Sequence, residues 1–168
     1  GRIHNPQGSG PGSWVYELSQ VAARYEQAAG DAQSAGDASA ASRAYKTAAV
    51  FYYLARFPFV SSAAKAEAYR KHIVCYLKAA QSFVPPLEEV QIPFEGRYII
   101  GYLRVPDVKK PPVVIVTGGV DTWKSDMDEH IGPMLAKDLA VFAMDMPGTG
   151  ESQWPLSPDA GKVYGRVV

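Results

Sequence analysis

Two glycine-containing loops hold the residues of this sequence whose types and spacing could do chemistry. The segments TGGVDT at 117–122 and DMPGTGES at 145–152 each follow an apolar run. In an open α/β sheet, ligands and catalytic groups gather at the carboxyl ends of the strands, and both loops would leave such ends. The Gly118-Gly119 pair would let backbone N–H groups point into a crevice, where fixed donors can hold an oxyanion. The same glycines could instead permit only a tight strand-to-helix turn, and the local sequence leaves both interpretations open.

Three further side chains in these loops are candidates for contact with a substrate. Asp121 lies beside the candidate backbone donors, where a carboxylate could orient or protonate a substrate group. Trp123 and Trp154 lie in the two loops and could line an apolar pocket. Aromatic packing between the loops would explain the two tryptophans equally well.

The carboxylates near Asp121 do not predict a metal site, because their spacing fits no calcium loop and no histidine or cysteine stands at zinc-ligand spacing. Asp126, Asp128 and Glu129 are better explained as first-turn carboxylates that favour a helix dipole. Nucleotide binding is also rejected, since the dinucleotide motif needs a glycine where Gln153 stands and no Walker A pattern occurs. We therefore expect no metal and no cofactor.

A Ser-Asp-His triad cannot be assembled from these residues. The chain contains no G-x-S-x-G motif, which marks the nucleophile elbow of an α/β-hydrolase. His4, His72 and His130 are scattered, so each is expected to be structural or at the surface. Cys75 lies in an apolar run and is expected to be a buried, inert thiol.

The sequence before residue 84 is rich in alanine, and its helical periodicity predicts three helices. Ser13 can cap the first helix, the second runs from about Asp37 to Phe57, and Ser61 or Ser62 opens the third. The third helix is expected to bury Ala66, Tyr69, Ile73, Tyr76, Leu77 and Ala80. Three such helices make a small bundle or lid. A tetratricopeptide-like array is the weaker interpretation, because no two copies recur at a fixed period.

From residue 87 the hydrophobic period changes to two, which predicts strands. Residues 87–94 form a first strand, and Pro93 places that strand at a sheet edge. Glu95-Gly96 supplies a tight turn into a second strand at 97–105.

Two continuous apolar runs, at 113–117 and 140–145, predict strands buried on both faces of a parallel sheet. Between them, Ser125 and Asp128 resemble the capping box of a helix. The apolar positions of that helix are Met127, Ile131, Met134, Leu135 and Leu139. Ser157-Pro158 opens a last helix. A crossover helix between two apolar strands implies parallel pairing with a right-handed connection, so the fold class is α/β.

The segments IVTGGVDTWKSDM and LAVFAMDMPGTGESQWPLSPD resemble the FrsA-like esterase branch of the α/β-hydrolases. That branch includes 2,6-dihydroxypseudooxynicotine hydrolase and fungal hydrolases that shorten polyketides. The resemblance covers nearly the whole chain and is strongest over 113–159, and the helical region with RFPF at 56–59 is similar to the family's N-terminal cap.

The resemblance implies roles for the residues of the first loop. Gly118, Gly119 and Val120 would supply an oxyanion-hole donor, and Asp121 matches a site where relatives carry an acidic residue near the reacting carbonyl. The nucleophilic serine would follow the helix that begins at Ser157, with the catalytic aspartate and histidine later still. Thr117 stands where many lipases have a histidine, in keeping with this branch.

Together these features predict an irregular arm at 1–13, a helical cap region at 14–86, and at 87–168 the N-terminal half of an α/β-hydrolase core that lacks the nucleophile elbow. We expect a longer parent enzyme that cleaves an ester, or a C–C bond next to a ketone, through an acyl-enzyme. The substrate would be a small molecule, and the partner would be the remaining C-terminal part. The alternative is a non-catalytic binding or interaction protein on the same scaffold.

Composition and charge limit the partners and the location that we expect. Seventeen basic and seventeen acidic residues balance, which favours neither nucleic acid nor an anionic membrane as a partner. No run approaches the roughly 20 apolar residues of a membrane span, and no signal peptide is recognised, so a cytoplasmic location is expected. The sequence begins with Gly1 rather than methionine, so we expect a processed, trimmed or incomplete N-terminus. The broad apolar faces of the helices could serve a homodimer.

Overall fold

The computed structural model describes residues 3–168 and divides the chain into two compact units, Gly1–Phe83 and Val84–Val168. The first unit is helical, and the second contains a sheet with two helices. The first two residues of the predicted arm lie outside the described residues. The division into an arm, a cap and a half-core stays a prediction about the longer protein.

The helical unit contains α1 (Trp14–Ser34), α2 (Ala38–Arg56) and α3 (Ala63–Ala80). Each helix begins at a polar residue whose side chain accepts a backbone hydrogen bond: the Ser13 hydroxyl from Tyr16, the Asp37 carboxylate from Ala40, and the Ser62 hydroxyl from Lys65. These caps satisfy N–H groups that have no partner inside the helix. The prediction of a cap at Ser13 is confirmed, and of the two serines considered for the third helix, Ser62 is the cap.

The three helices pack through alanines and tyrosines, but α3 presents a different face from the predicted one. Its buried residues are Ala68, His72, Cys75, Tyr76, Ala79 and Ala80, whereas Ala66 is exposed. The predicted face of α3 is therefore confirmed at Tyr76 and Ala80 and displaced by part of a turn elsewhere. A polar residue caused the error, because the His72 imidazole is buried with its Nδ1 2.9 Å from the carbonyl oxygen of Ala49.

The sheet unit contains four strands in the order β1-β2-β4-β3. The strands are β1 (Leu87–Phe94), β2 (Arg97–Arg104), β3 (Val113–Thr117) and β4 (Ala140–Met144). The first two form an antiparallel hairpin, and its turn residues Glu95 and Gly96 both have positive φ. The pair β3–β4 is parallel, whereas β2 pairs antiparallel with β4. The predicted α/β class, the edge position of β1 and the parallel pair are thus confirmed.

Strand β4 is the centre of this unit, and every one of its residues is buried. On one face, Val141 and Ala143 pack against α4 (Asp128–Leu135). On the other face, Phe142 and Met144 pack with Val163 of α5 (Gly161–Val167). The two helices therefore cover opposite faces of the sheet, because successive side chains of a strand point to opposite sides.

Strand β3 differs from the prediction. Its ends are exposed and its centre only half buried, and Val113 is 62% exposed. The expectation of burial on both faces is wrong for this chain, because β3 pairs with β4 on one side and no described residue pairs with its outer edge. An apolar run predicts that a strand needs burial. It does not predict which residues cover that strand.

The helix starts after β3 and β4 also differ from the prediction. A tight 3-10 turn at Lys124–Asp126 precedes α4, and the N–H of Trp123 donates to the Asp126 carboxylate at 3.0 Å. The capping box expected at Ser125 and Asp128 is wrong, because Ser125 is buried in that turn and α4 has no side-chain cap. At the second start, Ser157 makes no capping hydrogen bond and a 3-10 turn at Pro158–Ala160 comes before α5.

Two element ends lie earlier than predicted. Helix α4 ends at Leu135, so the predicted apolar position Leu139 lies beyond it, next to β4. Strand β2 ends at Arg104 rather than Val105. Among the described residues, no helix has both the length and the apolar content that a membrane crossing requires.

Candidate active site

The two loops singled out in the sequence leave the same edge of the sheet. The parallel register pairs Thr117 with Met144, so Gly118 and Asp145 each follow directly on a strand end at this edge. The loops are also joined directly, because Lys124 of the first contacts Asp145 of the second. The position expected for catalytic groups in an open sheet is therefore occupied by both loops.

The first loop is closed by its own hydrogen bonds. The N–H of Gly119 donates to the carbonyl oxygen of Thr122, and the indole N–H of Trp123 donates to that of Val120, each at 3.0 Å. A Cβ atom at Gly118 would lie 1.8 Å from the Thr122 carbonyl oxygen, whereas at Gly119 the nearest atom would be 4.0 Å away. Close approach therefore requires glycine at 118 only. Gly118 therefore permits a tight turn directly after β3.

The predicted site residues lie in different surroundings. Val120 and Asp121 are exposed at the tip of the first loop. Trp123 is buried in the base of that loop. Trp154 packs against Phe94 with the ring centres 5.7 Å apart and lines a cavity of about 230 Å³. Trp123 is absent from the lining of that cavity, so the two tryptophans do not share it.

A buried cluster of charges, which the sequence analysis missed, joins the two loops. Lys124 is fully buried, and its ammonium lies 2.6 Å from the Asp145 carboxylate and 2.5 Å from that of Glu151. Asp145 also accepts backbone hydrogen bonds from Lys124 at 2.8 Å and from Glu151 at 2.9 Å. One carboxylate thus binds backbone from both loops and the ammonium as well.

The surroundings of this cluster complete its electrostatics. The Lys124 ammonium lies 4.9 Å from the ring centre of Tyr102, which suits a cation over an aromatic face. The Tyr102 hydroxyl lies 3.5 Å from the Glu151 carboxylate. A Cβ atom at Gly150 would lie 2.3 Å from the Asp145 carboxyl carbon, and Gly150 has a φ of 52°. The glycine in the second loop therefore makes room for Asp145.

Neither a hydrophobic alternation nor a motif in the sequence indicates that Lys124 is buried. Its two carboxylate partners lie 21 and 27 residues further along the chain. Asp145 does carry a signal, since it directly follows five buried apolar residues and precedes a glycine-rich turn. A charge at the end of a fully buried strand needs a partner, and that reasoning would have led to a search for a cation.

The three histidines and the cysteine lie outside these loops. The His72 imidazole is buried in the helical unit, and His4 and His130 are exposed. Cys75 is buried as expected, and burial raises the pKa of its thiol to about 12, with a smaller contribution from Glu26. In the part of the chain that the structure describes, no group of three histidine, cysteine or acidic side chains could hold a metal ion.

Comparison with known proteins gives relatives over nearly the whole chain. The model of the family described as "Esterase FrsA-like" matches residues 6–168. The protein described as "Esterase FrsA" from Vibrio vulnificus (strain YJ016) is 32% identical over 163 residues, which cover 94% of this chain and 38% of that protein. Its counterpart from Vibrio cholerae (strain M66-2) is 29% identical with the same coverage. The chain thus spans about 38% of the length of these curated relatives.

Two solved structures share the fold. The crystal structure of 2,6-dihydroxy-pseudo-oxynicotine hydrolase is 25% identical with a TM-score of 0.81, over 92% of this chain and 45% of that one. AbyA5 wildtype is 26% identical with a TM-score of 0.70, over 99% and 43% of the two chains. The helices and the mixed sheet therefore correspond to less than half of each of these two chains. Since the family model matches all but the first five residues, the chain belongs to the FrsA-like esterase family.

Proposed function

We propose that this chain is the N-terminal part of a serine hydrolase that forms an acyl-enzyme and cleaves an ester or a C–C bond adjacent to a ketone. The segment supplies a helical cap and the loop Gly118–Val120, which serves as one side of the oxyanion hole. The observation that carries the proposal is that loop: it leaves the carboxyl end of β3, is closed by internal hydrogen bonds, and excludes a side chain at Gly118. Fixed backbone donors at such a position suit a developing oxyanion.

The hydrogen bonds of the loop indicate which of its amides would act. The N–H of Gly119 already donates to Thr122. We therefore assign the donor role to the amides of Gly118 and Val120, and the role of Gly119 is to hold the loop in shape. Asp121, exposed beside Val120, orients or protonates the substrate carbonyl group. Trp154 lines the substrate pocket, and Trp123 supports the loop from its base.

The geometry of the sheet supports a nucleophile from a strand beside β3. Helix α4 lies on one face of the sheet and connects β3 to β4, while α5 follows β4 on the opposite face. Right-handed connections on opposite faces run in opposite directions along a sheet, so a parallel strand after α5 would pair with the outer edge of β3. A serine elbow at the end of that strand would lie next to Gly118.

A fluorophosphonate probe and p-nitrophenyl esters test this proposal on the full-length protein. We expect hydrolysis of the esters, and labelling of one serine in a tryptic peptide that comes from outside residues 1–168. Labelling of a serine within 1–168 would contradict the assignment. If there is neither turnover nor labelling of the folded protein, the non-catalytic binding protein becomes the better interpretation.

The role of Asp121 has its own test in the same assay. Asp121→Asn removes the charge while keeping the shape, and we expect kcat to fall by about 100-fold, within the usual range for a proton-transferring or orienting group. Asp107→Asn is the matched control, because Asp107 is an exposed aspartate in the loop between β2 and β3. An unchanged kcat in Asp121→Asn would remove Asp121 from the site.

The finer parts of the proposal need separate measurements. Turnover of an aryl β-diketone, measured as the loss of its absorbance, would indicate C–C cleavage. Turnover of esters alone would indicate an esterase. We further propose a cytoplasmic protein whose cap serves a homodimer. Fractionation of cells and light scattering of the full-length protein test these two points.

A further inference from the structure

Lys124 is a lysine without any exposed surface, held between two carboxylates at the site where the two loops meet. Removing an ammonium and a carboxylate from water is costly, and well-packed apolar residues in their place are often equally stable. Stability alone therefore does not explain why charges occupy this position. The cluster also fixes the local geometry, because each of its hydrogen bonds holds a particular backbone or side-chain atom in place.

The hydrogen bonds of Asp145 connect the end of β4 to both loops. Asp145 directly follows β4, the most buried strand, so its carboxylate is a fixed point. It accepts the backbone N–H of Lys124, which ends the first loop, and that of Glu151, which belongs to the second. The Lys124 ammonium then joins Asp145 to the Glu151 side chain.

We infer that Lys124 and Asp145 are positioning residues for the loop 118–122. Their ion pair holds the backbone of Gly118–Val120 in the orientation in which its N–H groups face an oxyanion. This inference rests on the proposed function. The loop between Gly118 and Lys124 is only a few residues long and is braced by Trp123, so fixing Lys124 limits how far the amides can turn. Neither residue is assigned a contact with the substrate.

The central test compares Lys124→Met with Lys137→Met in the full-length protein. Lys124→Met keeps most of the length of the side chain but removes the ammonium, whereas Lys137 is an exposed lysine just after α4, outside both loops and outside the cavity that Trp154 lines. We expect kcat for a p-nitrophenyl ester, per site titrated by the fluorophosphonate, to fall by about 10- to 100-fold in Lys124→Met, because small misplacements of catalytic groups have effects of this size. KM should change little, and Lys137→Met should behave as the wild type.

Hydrogen exchange of the amides at 118–122 provides a readout that does not depend on activity. We expect faster exchange there in Lys124→Met, with unchanged exchange in α1, α2 and α3. If the melting temperature falls but kcat per titrated site and the exchange of 118–122 stay at the wild-type values, the role is merely structural and the inference is overturned. If the wild-type protein has no activity, the proposed function fails, while the exchange data still decide whether the ion pair holds the loop.

Glu151→Gln covers the case in which Lys124→Met does not fold. Glu151 is partly exposed and its change leaves the Lys124–Asp145 pair intact, so this variant is expected to fold. It weakens one of the two contacts of the ammonium. We expect a smaller change of the same kind, with kcat lowered about 3- to 10-fold and faster exchange at 118–122. Wild-type values of both quantities would overturn the inference.

Discussion

Gly118 shows how one atom decides the shape of the candidate site. The position of a Cβ atom at 118 is taken by the Thr122 carbonyl oxygen, which belongs to the backbone and cannot move aside like the end of a side chain. The adjacent Gly119 has no such neighbour, and its φ does not lie in the left-handed region. The two glycines look identical in the sequence, yet only one of them is required by close approach.

We predict that Gly118→Ala destabilises the protein, whereas Gly119→Ala does not. Forcing a methyl group into occupied space typically lowers the free energy of unfolding by about 1–3 kcal/mol. Replacement of a glycine without strain is neutral or raises that free energy by up to about 1 kcal/mol. Urea unfolding followed by circular dichroism measures both variants. Equal effects of the two substitutions would contradict the packing of this loop.

For individual residues, the sequence predicts the loops but not the ion pair that connects them. The apolar runs and the glycines were sufficient to place Gly118, Gly119 and Asp145 at one edge of a sheet. The burial of Lys124 could not be predicted, because a lysine is normally exposed and its two partners come from a distant segment. Similarly, the sequence offers Trp123 and Trp154 either as the lining of an apolar pocket or as packing between the loops. In the structure the Trp123 indole donates to Val120, and the Trp154 ring packs against Phe94.

Among the elements, helix starts with a local signal were predicted well. Ser13 and Ser62 cap helices because the residues that they bind lie within the same turn. The predicted start of α4 is wrong because Asp126 instead accepts from Trp123, and the neighbouring Lys124 is held by Asp145, which follows β4. Local patterns thus fail where a tertiary contact competes for the same backbone.

The helical unit contains two acidic groups whose burial makes its stability depend on pH. Burial raises the pKa of the Cys75 thiol from 9.0 to about 12. Burial also raises the pKa of the Tyr52 phenol, and the hydrogen bond that its hydroxyl donates to Glu26 at 2.7 Å adds to the effect. Both groups therefore keep their protons in the folded state at pH values where the unfolded chain loses them.

We predict that the free energy of unfolding falls as the pH rises from 9 to about 12. In this range the unfolded chain binds fewer protons than the folded one, so each such group contributes a negative slope of up to about 1.4 kcal/mol per pH unit. Urea unfolding across this range measures the slope. Cys75→Ala and Tyr52→Phe should each make it shallower, whatever they do to the stability at neutral pH. Tyr98→Phe, at an exposed tyrosine, should leave it unchanged.

The two outer strands of the sheet differ in how well their edges are protected from pairing with other chains. Strand β1 carries Glu88, Glu89 and Pro93, and charges and proline at an edge oppose pairing with other chains. Strand β3 reads VVIVT and carries no charge. The sequence predicts the type and direction of β3 correctly. It does not predict the exposure of β3, because an apolar run shows only that a strand needs apolar contacts and not which residues provide them.

We predict that the 168-residue chain, expressed alone, associates through the outer edge of β3. An uncharged apolar edge is a template for pairing, so the mean mass in sedimentation velocity should rise with concentration. Val113→Lys puts a charge at an exposed residue of the strand and should weaken this association while leaving the fold intact. Val105→Lys is the control, because Val105 is also exposed but lies just outside β2. If both substitutions reduce association equally, the contact is a general apolar one and the edge of β3 is not the template.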